Sequence, residues 1–134
     1  MNRIETAIAY HDKGYNCCQA VVCTFADKMG MNEKDCFKVS EGLGLGAGDM
    51  FGTCGAVAGM ALVLGMVNST GNLETPDSKT ATYQRVRKLN EAFRIKNGST
   101  ICRELKGVET GRVMCSCQQC IEDAVAILAE ELGQ

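Results

Sequence analysis

Cys54-Gly55-Ala56-Val57-Ala58-Gly59-Met60-Ala61-Leu62-Val63-Leu64-Gly65-Met66-Val67 is apolar from end to end, and residues 50–73 around it carry no formal charge. A membrane-spanning helix needs about 20 such residues, with aromatic and basic anchors at its ends. This run has 14 residues and no Trp or Tyr beside it. A helix apolar on every side and too short to span a bilayer belongs inside a protein. The stretch from about 54 to 67 is therefore expected to be the buried central helix of a bundle.

Both flanks repeat the helical pattern. Residues 3–12 form a short amphipathic helix ending near Gly14, and 17–29 form a second closed by Gly30. Residues 33–41 form a third, stopped by the glycines that follow. A basic helix is expected from about Pro76 to Asn97, with Thr75 as its cap, Pro76 at the first helical position and Gly98 as the stop. Short and long helices follow at 101–106 and 117–132. Val, Ile and Tyr never alternate with polar residues over a strand's length. The expectation is one all-α domain over 1–134, with about six helices around the apolar one.

Composition narrows the function. The chain has 134 residues, with 14 Lys plus Arg against 16 Asp plus Glu. A formal charge of −2 gives no global field for nucleic acid or an anionic membrane. Nine Cys in this length exceed ordinary cytosolic usage yet fall short of a disulfide framework. The opening Asn2-Arg3-Ile4-Glu5 leads into an amphipathic helix rather than an apolar leader, which points to the cytoplasm. There cysteines more often bind metal or cycle their redox state than brace a fold.

The cysteines also occupy particular places. Asn16 with Gln19, Thr53, Ser99 or Thr100, and Ser116 with Gln119 read as caps, and they leave Cys17, Cys54, Cys102 and Cys117 in the first turns of four helices. Unpaired N–H groups and the positive helix end lower a thiol's pKa there and favour thiolate. Four converging thiolates match an iron–sulfur cluster or a tetrahedral zinc. Small buried cysteines in helix first turns are also ordinary core residues. Gly42-Leu43-Gly44-Leu45-Gly46-Ala47-Gly48 lacks the Gly-Lys-Ser/Thr ending of a phosphate loop, and Gly52 and Gly55 beside Cys54 let the main chain approach a bound group closely.

The remaining thiols differ. Cys115-Ser116-Cys117-Gln118-Gln119-Cys120 contains a C-x-x-C at a helix start, so Cys117 and Cys120 form a candidate dithiol. Cys18 sits on an apolar face and is expected in the core, Cys36 packs, and Cys23 is expected to be an exposed bystander. His11 reads as a surface or satisfied histidine, and with no His after Cys120 there is no covalent haem signature. Lys79, Arg85, Arg87, Lys88, Arg94 and Lys96 make the long helix basic, either a solvated face or a docking surface for an acidic redox partner or a second subunit. Monomer and homodimer are both compatible with this surface.

These blocks resemble a known family. Gly14-Tyr15-Asn16-Cys17 running into Gln19-Ala20-Val21, then Cys54-Gly55-Ala56-Val57-Ala58-Gly59, Cys102-Arg103-Glu104-Leu105-Lys106-Gly107, and Cys117 before Ala124-Val125 are similar to the redox-active family named for its cysteine pattern, C_GCAxxG_C_C. The resemblance implies a small helical bacterial or archaeal protein with a redox or iron–sulfur cysteine site at Cys17, Cys54, Cys102 and Cys117. Cys18, Cys115 and Cys120 depart from the pattern and leave the ligand set open. Three functions follow for testing: an iron–sulfur electron-transfer or sensing module, a metal-free thiol–disulfide oxidoreductase using Cys117 and Cys120, and a zinc-binding structural or interaction protein.

Overall fold

The computed structural model describes residues 1–134, and the protein is all-α. Eight helices follow one another: α1 (Arg3–Asp12), α2 (Cys17–Thr24), α3 (Ala26–Met29), α4 (Glu33–Ser40), α5 (Gly55–Asn68), α6 (Lys79–Asn97), α7 (Cys102–Leu105) and α8 (Cys117–Glu131). A 3₁₀ turn at Glu41–Leu43 and a kinked turn at Gly44–Ala47 join α4 to the segment before α5. No helix is long and apolar enough to cross a membrane.

One core runs through the bundle. Its most extensive contact sets α2 against α5, and α1 and α8 pack on the same centre. Phe25, Met60, Leu64, Phe93, Leu105, Ile121 and Leu128 are fully buried there. Gly59 lets α2 lie close, since a Cβ at that position would stand 3.0 Å from that of Val21. Burying each large side chain contributes about 1.5–3 kcal/mol.

The structure corrects several boundaries. The expected 17–29 helix breaks at Phe25, because Arg3 of α1 donates to the Thr24 carbonyl at 2.6 Å and lies over the Phe25 ring. The basic helix begins at Lys79 rather than Pro76. Its preceding segment folds on itself instead, with Thr70 N–H donating to Ser78 Oγ and Thr75 N–H to Asn72 Oδ1. The apolar helix is not buried on every side: Ala58, Ala61, Leu62 and Gly65 are half-buried, and Met66 and Val67 are exposed. Cys23, read as an exposed bystander, is buried with its thiol toward the Glu33 carbonyl.

Two local devices position the cysteines. Asn16 and Ser116 cap α2 and α8 by accepting from the third-position amides of Gln19 and Gln119, which sets Cys17 and Cys117 at first helical positions. Between α5 and α7 the main chain forms a two-bond clasp. Cys54 N–H donates to Thr100 O at 2.7 Å, and Cys102 N–H donates to Gly52 O at 3.0 Å, flanking a single antiparallel bridge of Thr53 with Ile101.

Candidate functional site

Cys54 is held one place earlier than its expected position. Its amide is engaged in the clasp, so α5 begins at Gly55 and Thr53 is a bridge residue rather than a cap. The amides of Ala56 and Val57 face the Cys54 sulfur in place of a capping oxygen. Ile101, whose amide donates to Ser99 Oγ, precedes α7 and leaves Cys102 at its first position.

The loop before α5 brings these starts together. Leu45, Ala47 and Met50 adopt positive φ without being glycine, a strained geometry that costs about 1–2 kcal/mol per residue. Gly46 has φ +59°, and a Cβ there would lie 2.6 Å from that of Cys102. At Gly55 a Cβ would meet the Cys17 Cβ at 3.3 Å, and at Gly52 it would meet the Gly46 carbonyl at 2.7 Å. Gly52 and Gly55 thus permit close passage of the protein's own backbone around the thiols.

The sulfurs meet in twos. Cys17 pairs with Cys117, joining the starts of α2 and α8. Cys54 pairs with Cys120, joining α5 to the second turn of α8. Cys117 and Cys120, read from the sequence as one dithiol, therefore each contact a different partner. Cys102 stands beside Gly46, and burial first, then the neighbouring Cys54, raises its pKa. No group of three or more His, Cys, Asp or Glu side chains is placed to hold a single metal ion. All nine cysteines are free thiols.

Lys106 was missed by the sequence reading and is the cation of the site. It follows α7, and its ammonium donates to the Cys115 carbonyl at 3.0 Å and to Cys120 Sγ at 3.5 Å. Its charge also favours the thiolate of Cys117. Burial disfavours the ammonium charge, but the sulfurs of Cys120, Cys117 and Cys54 outweigh burial and raise its pKa. No carboxylate pairs with it among the salt bridges. The only local signal in the sequence was its position in the Cys102–Gly107 block.

The expectation that helix starts lower all four thiol pKa values is corrected. Only Cys117 falls, to about 5, first because the Cys17 thiol hydrogen-bonds to it. Burial opposes this, and Lys106 and His11 reinforce it. Cys17 rises because it holds the proton shared with Cys117, and because it is buried. Cys54 rises through its bond to Cys120 and through burial. Inside a packed site, desolvation and neighbouring sulfurs exceed the dipole of a helix end. His11, on α1, keeps its ring nitrogen at 3.2 Å from the Tyr15 carbonyl.

Comparison with known proteins gives one family. The model described as "Putative redox-active protein (C_GCAxxG_C_C)" matches residues 15–131, a span that contains every thiol above together with Lys106. No curated protein and no solved structure matches the chain.

Proposed function

The chain belongs to the C_GCAxxG_C_C family of redox-active proteins, and from that premise we propose that it works by thiol–disulfide exchange, with Cys117 as the attacking thiolate and Cys17 as its resolving partner. The observation that carries this is the Cys17–Cys117 pair, half-exposed and joined at two helix starts, with Lys106 beside the nucleophile. An exchanging thiol must be both ionised and reachable, and its partner must lie within bonding distance. The reaction partner is a protein or small-molecule disulfide in a reducing cytoplasm. Cys117 attacks one of its sulfurs, the other leaves as thiolate, and Cys17 then displaces the bound sulfur to close Cys17–Cys117.

A second reading is favoured by the two-and-two grouping. A two-iron, two-sulfide cluster takes two thiolates on each iron, which Cys17 with Cys117 and Cys54 with Cys120 would supply. Such a cluster supplies one-electron transfer, and the Lys106 charge would offset its anionic thiolates. Zinc fits less well, because one tetrahedral ion needs its ligands in a single group.

Anaerobically purified protein, assayed for iron, zinc, sulfide and visible absorption, separates the readings. Thiol exchange predicts colourless, metal-free protein in which Cys117 alkylates at pH 5.5 roughly tenfold faster than an ordinary thiol, of which only about 0.1% is ionised there, a margin that already allows for the weaker nucleophilicity of a low-pKa thiolate. Cys117→Ser removes that fast phase. Uniformly slow alkylation of all nine thiols overturns the exchange reading, and charge-transfer bands bleached by dithionite establish the cluster.

A further inference from the structure

The exchange just proposed uses one thiol pair and leaves the second without a role. Cys54 and Cys120 are 1% and 0% exposed, so no disulfide outside the protein reaches them directly, whereas Cys17 and Cys117 are half-exposed. A buried thiol pair is not in itself unusual. This one adjoins the exposed pair along α8, because Cys117 and Cys120 are three residues apart and so lie on the same helix face. Lys106 donates to Cys120 Sγ at 3.5 Å, and its charge also favours the Cys117 thiolate. The thiols of α8 thus place the half-exposed pair at Cys17 and Cys117 one helical turn from the buried pair at Cys120 and Cys54.

We propose that the four thiols form a two-stage disulfide relay, in which the outer pair Cys17–Cys117 takes a disulfide from a partner and passes it inward to Cys54–Cys120, giving one protein the capacity for two disulfides. The inference rests on the exchange reading of the outer pair.

The transfer balances within the chain. Starting from the Cys17–Cys117 disulfide, the Cys120 thiolate attacks the Cys117 sulfur. The Cys117–Cys120 bond forms, and Cys17 leaves as thiolate and takes up a proton. Cys54, after losing its proton, attacks Cys120. The Cys54–Cys120 bond forms, and Cys117 leaves as thiolate beside Lys106. Two electrons have moved from the inner pair to the outer pair, which is again a dithiol and accepts a second disulfide. The external oxidant is consumed only at the outer pair. Lys106 supplies a positive charge beside the α8 sulfurs that attack and depart, bonded to Cys120 and acting on Cys117.

The relay predicts unequal effects from two substitutions that both remove the outer disulfide. Metal-free reduced full-length protein is exposed to oxidised glutathione, quenched with acid, alkylated and mapped by mass spectrometry. Wild type forms Cys17–Cys117 first and Cys54–Cys120 second. Cys17→Ser still loads the inner pair, since Cys117 alone carries glutathione to Cys120. Cys117→Ser slows inner loading at least tenfold, and Cys54→Ser accumulates Cys117–Cys120. If Cys54 and Cys120 remain thiols in wild type while Cys17–Cys117 forms, the relay is wrong and the exchange function stands. Equal inner loading in Cys17→Ser and Cys117→Ser also overturns the relay. If no Cys17–Cys117 disulfide forms in wild type, the exchange function falls and the relay falls with it.

Discussion

The nine thiols divide into two regions that share burial and differ in what stands beside the sulfur. Cys18, Cys23 and Cys36 lie within α2 and α4, away from Lys106, and burial is the first cause raising each of them, Cys18 and Cys23 to about 12. Cys117 is also partly buried, yet it falls to about 5. A neighbouring thiol that keeps the shared proton, and a cation without a carboxylate partner, reverse what burial alone would do. Cysteine content in this chain therefore says little about reactivity, and the company of each sulfur says most.

The strongest way to break this contrast is to disturb the backbone of the site alone. Gly46→Val drives a side chain onto Cys102 and forces a β-branched residue into positive φ, with an expected loss of about 3 kcal/mol by urea unfolding of reduced protein. Gly48→Ala is the control, because φ is +97° but nothing lies within 4 Å of its Cβ, and about 1 kcal/mol is expected. Equal losses at the two positions would mean that close passage beside Cys102 contributes nothing.

Cys18→Ser tests the opposite region. It buries a hydroxyl in a fully enclosed apolar position, and an expected 1–3 kcal/mol of stability, roughly, is lost while Cys117 alkylation is unchanged. A change in the Cys117 rate would show the two regions to be coupled.

Stability against pH sharpens the contrast further. Cys117 has a depressed pKa in the folded protein, so its contribution is present above the ordinary thiol value of about 8.5 and is lost as pH falls through about 5. Cys18 and Cys23 are raised, so theirs is present below about 8.5 and is lost as pH rises toward 12. Cys117→Ser should flatten the acid limb of a denaturation midpoint against pH, and Cys18→Ser the alkaline limb. The smallest expected change is in Lys106→Met, which moves the alkylation midpoint of Cys117 upward while the Cys17 hydrogen bond remains. An unmoved midpoint would remove Lys106 from the site's electrostatics.

What the sequence made legible was local. Asn16 with Gln19 is a reciprocal capping signal and Ser116 caps the Gln119 amide, all within four residues, so Cys17 and Cys117 could be placed at helix starts before any fold was known. The apolar run at 54–67 revealed a core helix, and the absence of alternation revealed an all-α chain. Partnership was not legible, because Cys54 meets Cys120 across 66 residues, and Lys106 approaches Cys117 and Cys120 only after α7 docks. The break at Phe25 has the same character, since its cause is Arg3 on another helix. The late start of α6 depended on the side chains of Ser78 and Asn72, which accept from the Thr70 and Thr75 amides, compete with helix formation at Pro76 and leave no periodic trace.

The clasp between α5 and α7 has a consequence for how the site breathes. Its two amides, on Cys54 and Cys102, donate across the chain rather than along a helix, so neither is freed by fraying at a helix end. Each exchanges its hydrogen for deuterium only when the two cysteine-bearing segments part. Their exchange rates would therefore count openings of the site in the resting protein, without labelling or oxidising a single sulfur.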